Sequence, residues 1–133
     1  MLDLDIRCII SGRDTEGRVA VFEEVVDPGI GPPLHTHRSQ MEIFHVIEGQ
    51  FRFQIDGEVI ELGAGGSALV PAGAVHAFRN IGDSPARIHF EMLPANNSEE
   101  AFAELIRKGD AIADVKAFFD QYDMDLVGPP LEA

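Results

Sequence analysis

The sequence is poor in the side chains that lysine, tyrosine and cysteine chemistry requires. Its 133 residues contain no tryptophan, one tyrosine, Tyr122, one cysteine, Cys8, and only two lysines, Lys108 and Lys116. Both lysines lie in predicted helices, so a sugar isomerase or epimerase with a lysine or tyrosine acid or base inside a barrel loses support. A lone cysteine cannot form an internal disulfide, which is typical of a reducing compartment.

Positive charge is also scarce. Ten Lys and Arg stand against 23 Asp and Glu, giving a formal net charge of −13. A field of that sign repels phosphate backbones and anionic lipids, so we expect neither a nucleic-acid nor a membrane partner. No apolar run approaches the ~20 residues of a membrane span. Asp3 and Asp5 occupy the place where a signal peptide needs a basic flank. We therefore predict a cytoplasmic protein of one domain.

Two short segments only partly match known catalytic or phosphate-binding motifs. "GGSAL" lacks the final glycine of the nucleophile-elbow pattern G-x-S-x-G, because Leu69 stands there. "GAGG" at 63–66 opens no helix, which indicates a turn rather than a phosphate-binding loop. Neither serine-hydrolase nor phosphate-loop chemistry is supported.

The first two thirds of the chain consist of short runs rich in Val, Ile and Phe. The "DG" at Asp56-Gly57 between two such runs is a strong signal for a tight hairpin. Strands this short, without helices between them, favour an antiparallel sandwich or small barrel over residues 1–95. The predicted strands are 18–26, 42–49, 50–56, 58–62, 67–72 and 86–93.

The composition changes after residue 95. Residues 96–109 and 110–122 each carry apolar side chains at helical spacing, and Gly109 separates them. We predict two helices packed on the outside of the β-domain, in a C-terminal extension, 96–133, that belongs to the same domain. Phe118 and Phe119 are interpreted as buried core, and the Pro-rich tail as extended chain.

Histidines and a glutamate indicate a metal site. His35 and His37 share one face of a strand, because side chains two apart point the same way. Glu42 has the opposite parity, so residues 38–41 must form a turn if its carboxylate is to reach them, and we predict a four-residue hairpin connection. His76 begins a later strand. Three imidazoles and a carboxylate suit one divalent transition metal ion: Fe, Mn, Co, Ni, Cu or Zn.

The two segments that carry these residues resemble the paired motifs of the cupin superfamily. All ten fixed positions agree, and the resemblance covers about residues 19–94. The first motif, 29–49, is represented by Gly29, His35, His37, Glu42 and Gly49, and the second, 65–80, by Gly65, Pro71, Gly73, His76 and Asn80. The short spacing between them is similar to that of small single-domain, quercetinase-like cupins.

This resemblance implies an all-β fold, a double-stranded β-helix or jelly-roll barrel with a C-terminal helical appendage. It also implies a metal inside the barrel, bound by His35, His37, Glu42 and His76. By strand parity His45 faces away from the metal, towards packing or an interface. The facing of His89 is left open, and Asn80 is interpreted as fixing a turn.

Apolar side chains dominate the predicted barrel interior. Most of them are expected to be core, and some to line a pocket at the metal, namely Phe44, Phe51, Phe53, Phe78, Phe90 and Met92. An apolar pocket over an open metal favours an aromatic or enol-like substrate that binds through oxygen.

Three functions remain open from the sequence. The first is a metal-dependent dioxygenase, in which Glu42 is a ligand or general base. The second is a non-oxidative isomerase, cyclase or lyase that uses the metal as a Lewis acid. The third is a non-catalytic sensor that binds a small anion through arginines such as Arg38, Arg52, Arg79 and Arg87. We also expect a homodimer that pairs through an outer sheet face containing Ile43, His45 and Ile47.

Overall fold

The structure, a computed structural model, describes residues 4–133, so Asp3 lies outside the described part of the chain. Those residues form ten strands and two α-helices in the chain order β1–β9, α1, α2, β10. The strands are Asp5–Ile10, Ala20–Val26, Pro33–His37, Met41–Glu48, Gln50–Ile55, Glu58–Gly63, Ser67–Val70, His76–Asn80, Ala86–Leu93 and Met124–Pro130. Helix α1 spans Ser98–Lys108 and α2 spans Val115–Gln121; short 3-10 turns occupy Gly12–Thr15 and Gly109–Ala111.

The ten strands form two antiparallel sheets that enclose one core. The first sheet has the order β1-β2-β9-β4-β7 and the second the order β10-β3-β8-β5-β6. Phenylalanine rings from both sheets meet between them, and they are nearly inaccessible to solvent: Phe22, Phe44, Phe51, Phe53, Phe78 and Phe90. The all-β antiparallel prediction is confirmed, and the alternating apolar positions explain it because one face of each strand is buried.

The predicted hairpin at Asp56-Gly57 is also confirmed. β5 and β6 pair in register from Gln50↔Gly63 to Ile55↔Glu58, which leaves only the two turn residues unpaired. Asp56 and Gly57 both have positive φ, 47° and 82°. Such a two-residue turn needs this conformation at both positions, which Asp and Gly adopt more readily than other residues.

The hairpin predicted at residues 38–41 is wrong. β3 belongs to the second sheet and β4 to the first, so these residues carry the chain from one sheet to the other. Strand parity relates positions within one sheet, whereas Glu42 reaches the histidines from the facing sheet. The carboxylate and the imidazoles therefore meet across the barrel interior.

Two strands were not predicted, β1 and β10. β1 is exposed along most of its length, and its apolar residues Ile9 and Ile10 are exposed as well. β10 contains Gly128, Pro129 and Pro130, which argue against a strand in any sequence-based reading. It nevertheless pairs with β3 from Met124↔His37 to Leu126↔His35, followed by an irregularity before Pro130. β10 lies at the edge of its sheet. At an edge, a proline, which has no N–H to donate, leaves no carbonyl of a neighbouring strand without a partner.

The two helices lie against one end of the barrel. Phe102 of α1 makes edge-to-face contacts with Phe22 and Phe90 of the first sheet, at centroid distances of 4.9 and 5.5 Å. Phe118 and Phe119 of α2 are buried, as predicted. The helices thus extend the barrel core at its end instead of covering an outer sheet face. None of the helices in the described residues has the length and hydropathy needed to cross a bilayer.

Candidate metal centre

Three histidines converge at the end of the barrel that the helices cover. His35 and His37 come from β3, and His76 comes from the neighbouring β8, where it pairs directly with His35. One ring nitrogen from each lies within 4.8 Å of the others, and all three side chains are buried. This spacing can hold a single metal ion, and the predicted histidine set is brought together.

Backbone carbonyls orient two of the three rings. The Nδ1 atom of His35 lies 2.7 Å from the carbonyl oxygen of Pro33, and that of His76 lies 3.0 Å from the carbonyl oxygen of Ala74. Nδ1 is therefore the donor in each ring, and Nε2 is directed towards the cluster. A carbonyl bound to the far nitrogen is the usual way in which proteins fix a metal-binding imidazole.

Burial keeps His35 neutral. Desolvation, followed by the nearby His76 and His37, lowers the pKa of His35 to about 3. A neutral imidazole offers its lone pair to a metal without first losing a proton, so this residue is ready to bind at neutral pH.

Glu42 reaches the cluster from β4 of the first sheet. Its Oε1 atom lies 3.1 Å from Nε2 of His76 and 3.3 Å from Nε2 of His37. Burial by itself would raise the pKa of Glu42, but the charge of His37 and hydrogen bonds from His37 and His76 outweigh it and lower the pKa. The carboxylate is thus ionised inside the barrel. It touches two of the three histidines but does not belong to the compact three-nitrogen group.

His76 shows the reciprocal effect. Burial lowers its pKa, yet the hydrogen bond to Glu42 and the charge of that carboxylate are together stronger and raise it. Nε2 of His76 lies between the Glu42 carboxylate and the other two histidines, which is where a cation belongs. Metal ions replace ligand protons in such positions. The donor set therefore fits a divalent transition metal.

His37 differs from the other two histidines. Its Nδ1 atom is the one buried side-chain nitrogen or oxygen of residues 4–133 without a hydrogen-bond partner. Leaving a buried polar group unpaired is costly, so such atoms mark places where a further group is expected. No carbonyl fixes this ring as carbonyls fix His35 and His76.

A small apolar cavity of about 30 Å³ adjoins the cluster at His37. Gln40 and Met92 of the barrel contribute to its wall, but most lining residues come from the C-terminal segment, residues 98–124. The large apolar ones are Phe102, Leu105, Phe118, Phe119 and Met124. Of the six side chains predicted to line a pocket, only Met92 does so; the five phenylalanines are core.

The remaining histidines lie on the outer face of the first sheet. His45 is bonded to Ser67 at 2.9 Å and to Glu91 at 2.5 Å, so the parity prediction is confirmed. His89 also faces outward and bonds to Glu23 at 2.9 Å. Hydrogen bonds from His89 and Arg7 lower the pKa of Glu23 to about 2. None of these groups takes part in the metal centre.

Asn80 fixes a turn, as predicted. Its side-chain amide donates to the carbonyl oxygens of Val26 and Ser84, at 2.9 Å each, and its Oδ1 accepts from the amide of Gly82. The bonds hold together the chain before β3 and the turn after β8, at the end of β8 remote from His76. Asn80 is therefore not a ligand.

Two residues near the centre were missed. The ring of Phe119 stands edge-on to that of His35, with a centroid distance of 6.0 Å. Helical spacing gave only its burial, because a sequence does not show where a helix docks. Glu24 faces the barrel interior, where burial and then Glu42 and Asp5 raise its pKa to about 8. Glu24 has the same strand parity as Ala20, Phe22 and Val26. This alternation could have predicted that its side chain faces inward.

Comparison with known proteins agrees with this architecture. The sequence model of the cupin domain matches residues 22–92, more than half of the chain. This protein belongs to the cupin domain family. The match ends before α1, so the helices and β10 of this cupin lie outside the shared domain.

Relatives of this cupin have diverse names. The polyketide synthase CurC of Streptomyces cyaneus is 34% identical over 70 residues, which are 53% of this chain and 46% of that protein. The quercetin 2,3-dioxygenase of Bacillus subtilis is 32% identical over 73 residues, 55% of this chain and 22% of that protein. The chain thus matches less than half of the length of each.

Solved structures show the same fold. An RmlC-like cupin from Shewanella frigidimarina superposes with a TM-score of 0.63 at 21% identity, over 73% of this chain and 81% of that one. At this identity the similarity establishes the fold and leaves the chemistry to the site itself.

Proposed function

We propose that this cupin binds one divalent transition metal ion through His35, His37, Glu42 and His76, and that it is a dioxygenase for a small aromatic or enol-type substrate. The observation that carries the proposal is the convergence of three buried imidazole nitrogens beside an apolar cavity. The names of two relatives, a quercetin 2,3-dioxygenase and a polyketide synthase, support a substrate of this class.

The residues of the centre divide the work between them. A bound metal would supply Lewis acidity that makes a substrate hydroxyl more acidic. Glu42 is the base of the site, because its ionised carboxylate lies beside His37 and His76, with Oε1 3.3 Å and 3.1 Å from their Nε2 atoms. It would accept the proton of the substrate hydroxyl at the same oxygen. The apolar side chains at the cavity exclude water, which strengthens these charge interactions.

Metal content tests the ligand set. Wild-type protein and the double variant His35→Ala/His76→Ala are purified in parallel and analysed for bound metal. We expect near-stoichiometric metal in the first and almost none in the second. His45→Ala serves as the matched control, since His45 lies on the outer sheet face and should retain the metal. Equal metal in the double variant and the wild type would refute the centre.

Oxygen uptake tests the reaction. Protein loaded in turn with Fe, Mn, Co or Ni is supplied with flavonols, catechols and β-diketones, and consumption of O₂ is followed. Uptake with one of these metals, lost in Glu42→Gln, is the expected result. Turnover that needs no oxygen and proceeds with Zn would instead establish the non-oxidative alternative.

The anion-sensor alternative gains no support from the arginines. Arg38 is paired with Asp120 and Asp125, Arg52 with Glu61, and Arg87 with Glu23. Arg79 donates to the carbonyl oxygen of Leu131. All four therefore already have acceptors within the chain, and none faces the cavity.

We propose in addition that this cupin forms a homodimer through the outer face of its first sheet. Ile47 and Leu69 are exposed there, at 44% and 54%, beside the pairs of His45 with Glu91 and of His89 with Glu23. Exposed apolar side chains on one face can pack against a second copy of the chain. Light scattering at micromolar concentration should give twice the monomer mass, and Leu69→Lys should give the monomer.

A further inference from the structure

The cavity and the histidine cluster share a wall. His37 belongs to both, and Phe119, which lines the cavity, packs edge-on against the ring of His35. A molecule that occupied the cavity would thus touch His37, and the Phe119 ring would separate it from His35. The Nδ1 atom of His37 is buried and has no hydrogen-bond partner in the described part of the chain. The site would suit a ligand with oxygen atoms for the metal and an apolar body for the cavity.

The cavity is too small for such a ligand as it stands. Its volume of about 30 Å³ has room for a water molecule or two. An apolar cavity that admits a benzene ring measures roughly 150 Å³. An aromatic substrate can therefore reach the histidines only if a side chain of the lining moves aside.

Among the lining rings, Phe119 is the one in contact with the cluster. Phe102 is held in the barrel core by Phe22 and Phe90. Phe118 packs on Tyr122, the residue that follows α2, at a centroid distance of 5.1 Å. Phe119 lies between α2 and His35, so its displacement enlarges the cavity on the side of the metal. The helix that carries it has only seven residues, Val115–Gln121.

We propose that Phe119 determines the size of the ligands that reach the metal, and that the ligand is a planar ring bearing adjacent oxygen atoms. This inference rests on the proposed metal centre. The oxygen atoms of the ligand would bind at the metal, and the ring would take the space that the Phe119 side chain fills. Phe119 lies outside residues 22–92, the part of the chain that matches the cupin domain.

Two probes of different size test the proposal on the Co²⁺-loaded protein. Azide, with three atoms, and 4-nitrocatechol, a planar ring with adjacent oxygens, are titrated while the visible Co²⁺ spectrum is recorded. The variants are Phe119→Ala, Phe119→Leu and the control Val115→Ala, which changes an exposed side chain of the same helix. Phe119→Leu keeps an apolar contact, so it remains informative if the alanine variant is poorly folded.

We expect azide to bind all four proteins with the same affinity. The affinity for 4-nitrocatechol should rise by about tenfold or more in Phe119→Ala and by less in Phe119→Leu, because the wild-type chain must displace a packed ring. Val115→Ala should match the wild type. Equal 4-nitrocatechol affinity in the wild type and both Phe119 variants, with azide bound normally, would overturn the size selection alone. A Co²⁺ spectrum that azide leaves unchanged in every protein would overturn the metal centre itself.

Discussion

The barrel and the C-terminal segment contribute to the same site in different ways. The barrel, which matches the cupin domain over residues 22–92, supplies all of the candidate ligands. The segment from α1 to β10 supplies no ligand, yet it provides most of the cavity wall and the strand that pairs with the ligand-bearing β3. The domain that matches the family thus supplies the residues that could bind a metal, while the segment after it supplies most of the surroundings of the cavity. Substrates of relatives cannot be transferred on the strength of the ligands alone.

The largest expected effect is on the free energy of unfolding, where a core ring of the barrel is compared with a ring of the helical segment. Phe22 is 2% exposed and packs on Phe90 and Phe102, whereas Phe102 is half-buried. Phe22→Ala should lower the free energy of unfolding by about 3–5 kcal/mol, and Phe102→Ala by about 1–3 kcal/mol. Denaturant unfolding of both variants measures this. An equal loss would mean that the helix belongs to the core as fully as the strands do.

A second prediction concerns the exclusion of water from Glu24 inside the barrel. The pKa of Glu24 is about 8 in the folded chain against 4.5 for the ordinary side chain. Below pH 4.5 the carboxyl is protonated in both states and its ionisation costs nothing. As the pH rises towards 8 only the unfolded state loses the proton, so stability falls, by roughly 3 kcal/mol at pH 7 at about 1.4 kcal/mol per pH unit.

Glu24→Gln should remove this dependence. Unfolding measured from pH 4.5 to pH 8.5 should therefore lose less stability with rising pH in the variant than in the wild type. Glu58→Gln, an exposed position on β6, is the control and should follow the wild type. Parallel curves for Glu24→Gln and the wild type would show that Glu24 is solvated in the barrel.

The smallest expected effect tests whether the segment also holds the ligands in place. Asp125 of β10 accepts hydrogen bonds from Thr36, at 2.8 Å, and from Arg38. These two residues flank His37. Asp125→Ala should weaken metal affinity by about tenfold, as loss of an outer support commonly does. Competition with a chelating dye measures the affinity.

Asp120 provides the matched comparison. It also pairs with Arg38, at 2.5 Å, but it has no hydrogen bond to Thr36. Asp120→Ala should therefore leave metal affinity nearly unchanged. If both variants lost affinity equally, the pairing of Arg38 would matter and the support of Thr36 would not; if neither lost affinity, the segment would not hold the ligands in place.

The sequence was informative where the structure depends on local pattern. Alternation of apolar residues predicted most strands, and the spacing of His35, His37 and Glu42 predicted a ligand set that meets in the barrel. The predicted hairpin between His37 and Glu42 was wrong, because strand parity does not distinguish a hairpin within one sheet from a connection between two sheets. β10 was missed since its Gly and Pro residues disfavour a strand and only a partner 87 positions earlier, at His37, makes it one. The position of Phe119 at the cluster likewise depends on docking rather than on local preference.

The pairing of β10 with β3 has a consequence for the order in which the chain folds. Thr36 and Asp125 are 89 positions apart, and contacts so distant in sequence form late because closing a long loop costs entropy. During synthesis β3 therefore emerges from the ribosome well before its partner and presents an unpaired edge, with two histidines on it. Such edges recruit other strands. A nascent chain that captured metal early would hold β3 against β8 in the meantime, so metal supply would influence the yield of folded protein.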